Sequence, residues 1–353
     1  MTDPRTNPAP VRLLAENRAR VCLVQLLYGA SLLLTGLTRL LPLAGCAAWW
    51  TLLLMLLPGL AAYGLARLAM RLLGASTLPE MARSLLGRVG GVALTGLLGA
   101  LLLLEAARSV DALVTLFTDG VGSRGTPLTL ALVTCGALGL CLWRGGLARG
   151  VQLLRWPMLA GCAVAAAALM PLWRADHLFP LQGGGMPGVM AALRAGAPLT
   201  WPLLTLLTIP ADPARGRLHL RWVPPLVGAA GALLILCLTV PQEILTTPAT
   251  LAQQLTLPWR YAPPAARLLM LCLLLTALFL AIAAAVELAT AQLCAPWGRR
   301  PAWLPGALLL ALALTQAVEV RAVLTLLQGV LAIPLGGFCA VVPVIAVLRR
   351  LRR

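Results

Sequence analysis

The sequence has no lysine at all and few charged residues of any kind. Of its 353 residues, 11% are charged and 60% are hydrophobic, and the mean hydropathy is +0.91. Soluble globular domains usually have about 25% charged residues, so the polar side chains here are too few to cover a water-facing surface. The shortage of charge therefore excludes an ordinary water-soluble domain.

Catalytic and metal-binding patterns are also missing. The two histidines, His177 and His219, have no companions at metal-ligand spacing. The nine cysteines form no CxxC pair, and most of them lie in apolar runs, where cysteine acts as a small packing residue. There is no P-loop, no GxSxG elbow and no visible nucleophile–base pair. We therefore expect neither an enzyme nor a protein that depends on a metal or cofactor.

Long apolar runs are what the sequence has in abundance. They recur from Val21 to Leu348, and each is long enough to cross a hydrocarbon core roughly 30 Å thick. The runs lack the alternation of lipid-facing strands, which excludes a transmembrane barrel. We predict an all-α membrane protein of about ten transmembrane helices. The predicted spans are 21–43, 47–72, 89–117, 127–143, 153–173, 197–210, 222–240, 264–294, 302–318 and 322–348. Before the third span, Thr77-Leu-Pro-Glu80 resembles a capping box that opens a helix toward Arg88.

The formal charge of +17 comes from arginines placed between these runs. A basic balance also marks nucleic-acid binding, but short arginine clusters between apolar runs are the pattern that orients helices in a membrane. Ten spans with both termini in the cytoplasm place 20 of the 28 arginines on the cytoplasmic side. We therefore expect the lipid bilayer, and not nucleic acid, as a partner. Residues 1–20 and 349–353 become cytoplasmic ends of one transmembrane domain, residues 21–348.

Two of the predicted spans contain residues that interrupt helices. The first has Gly-Ala-Ser and then Thr35-Gly36 close to its middle. The sixth is short and rich in proline, and we expect a short helix over Pro187–Ala195 before it. Interrupted helices at matching positions of two halves point to a binding site of the inverted-repeat kind. Glycine and serine also let helices pack closely, so close packing is the alternative. The candidate ligand-binding residues are Gly29, Ala30, Ser31, Thr200, Trp201 and Thr205.

Charged residues inside predicted spans are the second pointer to a site. Glu105 and Arg108 lie three residues apart on one helical face, which predicts an internal ion pair. Glu287 lies deep in the eighth span with no basic residue within one turn. A charge there costs at least about 2.5–3.5 kcal/mol, so we expect Glu287 to face a cavity or a partner on another helix. Glu287 joins the candidate ligand-binding residues, and a protonated packing role is the alternative.

Three stretches between the spans have distinctive sequences. Leu43–Trp49 reads LAGCAAW, Gly146–Arg149 reads GLAR, and Leu178–Pro187 reads LFPLQGGGMP. In this order they resemble the spore-germination permease family, the membrane B subunit of nutrient germinant receptors. The first is similar to the family's AGRDAW opening of the second span, and the second to its basic connection between the fourth and fifth spans. The third is similar to its LLPVLGNG loop before the sixth span, and it is the clearest match.

The resemblance implies a fold and a role. That family is similar to the amino acid–polyamine–organocation transporters, which implies a LeuT-like five-plus-five inverted repeat. It also implies a subunit in the spore inner membrane that works with A and C subunits and senses a small nutrient, an amino acid as the first candidate. One alternative is an amino-acid transporter of the same fold coupled to cations. Another is a structural membrane subunit without a small-molecule ligand.

Overall fold

The chain is all-helical in a computed structural model that describes residues 9–120, 122–143, 147–210, 222–247, 263–298, 300–317 and 321–351. No strand occurs in these ranges. The predicted cytoplasmic residues 1–8 and 352–353, His219 and the start of the stretch at Gly146 lie outside the described residues. The all-α prediction is confirmed, and the ten-span inverted repeat stays a prediction.

The α-helices of the described ranges are named α1 to α12 in chain order. The first six are α1 (Ala9–Thr35), α2 (Leu41–Ala44), α3 (Ala48–Leu73), α4 (Leu78–Thr115), α5 (Pro127–Trp143) and α6 (Leu147–Leu169). The others are α7 (Gly185–Gly196), α8 (Val223–Thr239), α9 (Gln242–Leu245), α10 (Pro264–Cys294), α11 (Leu304–Leu314) and α12 (Arg321–Leu351). Segments of π-helix follow α1 (Gly36–Leu40) and α4 (Leu116–Gly120), and a 3₁₀ helix follows α7 (Ala197–Thr208).

Several of these helices have the length and hydropathy of membrane spans. In the described ranges, six helical stretches qualify: Asn17–Leu73, Leu78–Asp119, Gly150–Leu172, Gly185–Thr208, Pro264–Cys294 and Leu326–Ile345. The apolar helices Pro127–Leu142, Val223–Thr239 and Leu304–Leu314 are shorter. The first stretch covers most of α1 and all of α3, because the residues between the two helices are themselves helical. Gly45, with φ of +58°, lies in this connection. These helices are those of a membrane protein.

The long helices pack pairwise around a core of leucine and alanine. Helix α4 packs along α10, α3 along α12, α5 along α11, and α1 along α8. Many leucines face outward instead, including Leu57, Leu140 and Leu153, which are 58%, 70% and 76% exposed. These outward-facing leucines are consistent with contact with lipid chains, since lipid chains and leucine are equally apolar.

The first span is irregular at Gly36, one of the two predicted places, and regular at the other, Gly29–Ser31. Helix α1 stays α-helical through these residues, and the irregular segment is the π-helix that begins at Gly36. A Cβ on Gly29 would lie 3.3 Å from the Cβ of Pro225, so this glycine lets α1 approach α8 closely. The close-packing alternative therefore explains Gly29.

The irregular sixth span is present, preceded by the predicted short helix, which is α7. Prolines 198 and 202 lie in the 3₁₀ helix and cannot donate the backbone hydrogen bonds of an α-helix. Threonine hydroxyls bond carbonyls three residues back, from Thr200 to Ala197 at 2.8 Å and from Thr205 to Pro202 at 2.6 Å. A 3₁₀ helix of 12 residues is long, because such helices rarely exceed three or four residues. Proline and threonine together therefore account for the irregular backbone of this segment.

Candidate functional site

The residues predicted in the sixth span are buried, and their contacts are those of packing. Thr200 lies against Gly59 of α3, where an added Cβ would be 2.8 Å from the Thr200 Oγ1. Trp201 is 3% exposed, and its indole Nε1 has no hydrogen-bond partner. The hydroxyls of Thr200 and Thr205 already donate to backbone carbonyls. Trp201 is therefore the member of this group with an unused donor.

Glu287 has an ion-pair partner that the sequence did not predict. Arg300 follows the end of α10, and its Nη1 donates to the Glu287 Oε1 at 2.9 Å. The Arg300 Nη2 also donates to the backbone carbonyl of Glu287 at 3.1 Å. The two side chains are 33% and 43% exposed, so the pair is not deeply buried. Glu287 thus has a charged partner, but in the segment after α10 and not on another helix as predicted.

The predicted pair of Glu105 and Arg108 forms the centre of a buried polar cluster. The Arg108 Nη1 lies 3.8 Å from the Glu105 Oε2, which confirms the ion pair. Arg108 Nη2 donates to the Thr35 Oγ1 of α1 at 3.0 Å, and the Gln328 amide of α12 donates to the Glu105 Oε2. Three helices, α1, α4 and α12, are thus joined by side-chain hydrogen bonds.

Further polar atoms on these helices are buried without a hydrogen-bond partner. On α1, Tyr28 and Ser31 lie seven and four residues before Thr35, so the three side chains share one helical face. On α4, Ser109 lies one turn after Glu105. Unpartnered atoms are the hydroxyls of Tyr28, Ser31 and Ser109, the Oε1 of Glu105 and the Nη1 of Arg108. We call Tyr28, Ser31, Thr35, Glu105, Arg108, Ser109 and Gln328 the buried polar site.

The unpartnered atoms matter because they are costly in a bundle of this kind. Each buried donor or acceptor without a partner costs about 1–3 kcal/mol. Tyr28 and Ser31 are 1% exposed, and Glu105 and Ser109 are 0% exposed. Native structures have few such atoms, and five of them on α1 and α4, which the Arg108–Thr35 bond joins, call for an explanation. The site offers a cationic donor, an anionic acceptor and three hydroxyls within a short length of α1 and α4.

Sequence reasoning found part of this site. Ser31 was predicted as a ligand-binding residue, and Glu105 and Arg108 were predicted as a pair. Thr35, Ser109, Tyr28 and Gln328 were not predicted, although two signals were available. Gln328 is an amide in an apolar run, and Ser109 follows Glu105 by four residues. The structure does not join Gly29, Thr200, Thr205 and Glu287 to the site by hydrogen bonds within the described residues.

The fold and the site together define an all-α membrane protein with a charged polar site buried among its helices. Neither the models of known protein families nor the curated proteins give a match to this chain.

Proposed function

We propose that this protein is the membrane subunit of a nutrient germinant receptor and that its nutrient is a small zwitterion, an amino acid as the first candidate. The observation that carries the proposal is the buried polar site. An amino acid carries one carboxylate and one ammonium group, and the site has Arg108 for the first and Glu105 for the second. Charged partners buried together in this way are functional by default in membrane helices.

The hydrogen-bonding capacity of the site matches this class of ligand. The Arg108 Nη1 and the Glu105 Oε1 have no hydrogen-bond partner, and the two side chains approach only to 3.8 Å. A carboxylate placed at Arg108 gains a charge-assisted hydrogen bond, which is about twice as strong as a neutral one. An ammonium group placed at Glu105 gains the same.

The receptor role is supported by the contact between two of the family-like stretches. Leu43–Trp49 and Leu178–Pro187 are about 130 residues apart, yet they pack as one unit. The Cys46 thiol donates to the Pro180 carbonyl at 3.1 Å, and the Gly184 N–H donates to the Ala44 carbonyl at 3.3 Å. The Trp50 indole donates to the Leu181 carbonyl at 2.9 Å. Each of these two stretches resembles a segment of that family, and here they contact each other. The contact therefore supports a shared architecture with the family.

In this role the subunit acts with A and C subunits in the spore inner membrane. Ligand binding acts on them only through its different affinity for two conformations of the subunit. Helices α1, α4 and α12 are the elements that a bound zwitterion would draw together, because each contributes a side chain to the site.

The first experiment measures the thermal stability of the purified full-length protein with each of the amino acids in turn. A ligand that binds the folded state raises stability by RT ln(1 + [L]/Kd), about 2.7 kcal/mol at a hundredfold excess over Kd. We expect one or a few amino acids to raise the melting temperature, and Arg108→Gln to abolish the rise. Arg300→Gln is the matched control, because it removes another ion-paired arginine, and we expect it to keep the rise.

The second experiment separates the receptor from a transporter. Spores with Arg108→Gln should fail to germinate on the nutrient identified by stability, while spores with Arg300→Gln should respond. Glu287→Gln tests the ligand role predicted for Glu287, because a response lost in that variant and kept in Arg300→Gln assigns the carboxylate to the ligand. Uptake of the same amino acid by the isolated chain in proteoliposomes, with normal germination of the Arg108→Gln spores, would contradict the receptor role.

A further inference from the structure

A cleft lies beside the C-terminal end of α3, and no residue of the buried polar site lines it. It has a volume of about 430 Å³ and is lined by Leu60, Tyr63, Gly64, Arg67, Leu68, Arg71 and Trp222. Six of these residues belong to α3, and Trp222 precedes α8, which packs against α3. We call this space the Arg67 cleft. Its volume is in the range of small-molecule sites, roughly 300–1,000 Å³.

One end of the cleft is basic. Arg67 and Arg71 are four residues apart, so their side chains leave the same face of α3 in its last two turns. Arg67 Nη1 donates to the hydroxyl of Tyr63, another lining residue, at 3.4 Å. Trp222 lies on the other wall, and tryptophan is enriched where membrane meets water. Two arginines beside a tryptophan at the end of a membrane helix are typical of the headgroup level.

The other end of the cleft is apolar and continues onto the outside of the bundle. Leu57, Gly64 and Leu68 are spaced by seven and four residues and lie on one face of α3. Leu57 is 58% exposed and Leu68 is 48% exposed. A Cβ on Gly64 would meet no atom within 4 Å, so this glycine leaves the middle of the face open. An apolar track therefore runs from the arginines toward the middle of the helix.

We infer that the Arg67 cleft binds one anionic phospholipid, with its phosphate at Arg67 and Arg71 and an acyl chain along the leucine face. Basic pockets between membrane helices are suited to anionic headgroups. A soluble anion would use the arginines but not the apolar track, and the mostly apolar lining of the cleft favours a ligand with both parts. The loop charges place this end of α3 on the cytoplasmic side, where anionic lipids attract basic residues. This site is separate from the buried polar site and does not depend on the proposed function.

The test uses the full-length protein in mixed micelles and measures bound lipid by native mass spectrometry. Phosphatidylglycerol and phosphatidylcholine with the same acyl chains are compared at equal concentration. We expect phosphatidylglycerol to be retained at least tenfold more, because each arginine near an anionic lipid contributes about fivefold in affinity. Arg67→Gln with Arg71→Gln should remove the preference and leave both lipids weakly bound.

A second test compares leucine substitutions at two glycines, one in the cleft and one outside it. Gly64→Leu puts a side chain into the cleft at a position where the Cβ meets no atom within 4 Å, and it should reduce bound phosphatidylglycerol at least fivefold. Gly136→Leu on α5 is the control, because Gly136 is also an exposed helical glycine with no atom within 4 Å of an added Cβ. Equal retention of the two lipids, or equal binding by the two leucine variants, would overturn the proposal. Displacement of the lipid by millimolar inorganic phosphate would assign the arginines to a soluble anion and would overturn it as well.

Discussion

Two serine hydroxyls provide a test of the buried polar site that hardly depends on folding. Ser31 and Ser109 are buried, and neither Oγ has a hydrogen-bond partner. Ser31→Ala and Ser109→Ala therefore remove no internal hydrogen bond, and the melting temperature should stay the same or rise. The same changes should weaken amino-acid binding by about three- to tenfold each, since a hydrogen bond contributes about 0.5–1.5 kcal/mol. Thermal stability with and without the ligand measures both effects.

Thr95 of α4 is the control for these serines. It is also fully buried, but its hydroxyl donates to the Gly91 and Val92 carbonyls of its own helix. Thr95→Val should leave ligand affinity unchanged. Unchanged affinity in both serine variants would show that the unpartnered hydroxyls do not contact the ligand, whatever the role of Arg108.

At the scale of single residues, the sequence predicted an ion pair within one helix but not the contacts between separate segments. The pair of Glu105 and Arg108 followed from helical spacing, because residues three apart lie on one face. The Glu287–Arg300 pair did not follow, because it depends on the chain turning back after Cys294. The Glu105–Gln328 bond joins α4 to α12 across more than 200 residues. Such contacts depend on which faces of two helices pack together. The spacing of residues along one helix does not predict that packing.

At the scale of elements, the loop before α7 depends on one glycine. Gly183 has φ of +53°, and a Cβ there would lie 1.9 Å from the Ala44 carbonyl oxygen. Gly183→Ala therefore meets both backbone strain and a clash with backbone that cannot move aside. We expect it to lower the free energy of unfolding by more than about 3 kcal/mol, since a left-handed conformation alone costs about 1–2 kcal/mol. Thermal unfolding of the solubilised protein, followed by tryptophan fluorescence, gives the measurement.

The comparison for Gly183 is Gly74, which ends α3. Gly74 has φ of +68°, but an added Cβ there meets no atom within 4 Å. Gly74→Ala should thus show the cost of backbone strain alone. Its melting temperature should be well above that of Gly183→Ala. Equal melting temperatures for the two variants would mean that the loop does not pack on α2 as described. The family-like unit would then lose its structural support.

Helix ends and helix breaks were predicted with unequal success. The capping box at Thr77 is present, because the Glu80 N–H donates to the Thr77 Oγ1 at 3.3 Å. The predicted short helix before the sixth span is also present as α7. Of the two places where a break in the first span was predicted, Gly36 begins the π-helix and Gly29 stays α-helical. Both glycines meet α8, Gly29 at Pro225 and Gly36 at Leu233, so a glycine alone does not tell close packing from a break.

At the scale of the whole molecule, hydropathy predicts spans well but does not fix their number. Each predicted span has an apolar helix in the described residues, yet only six stretches meet the length and hydropathy of a span. Helix α11, at 11 residues, is about 17 Å long, well short of a 30 Å hydrocarbon core. The count of ten therefore depends on the alternation of charge in the loops.

The number of spans has a direct test in the sides that loops occupy. With both termini in the cytoplasm, the turn before α4 is cytoplasmic and the loop before α5 is external. Ser76 and Thr126 are exposed residues of these two segments. In whole cells, Thr126→Cys should react with a membrane-impermeant maleimide, and Ser76→Cys should react only after the membrane is permeabilised. Positive loops stay on the cytoplasmic side, and the turn before α4 lies between Arg71 and Arg83.

The unmodified chain is the control for this labelling, because it has nine cysteines of its own. Cys141, Cys162 and Cys272 are exposed on apolar helices, so in a membrane they face lipid, which an impermeant reagent does not enter. Labelling of both introduced cysteines from the same side would mean that α4 does not cross the membrane. From α4 onward, each loop would then lie on the opposite side of the membrane from the one predicted. The inverted repeat that pairs the first and sixth spans would then be wrong. The buried polar site would remain, because its contacts among α1, α4 and α12 do not depend on which end of each helix faces the cytoplasm.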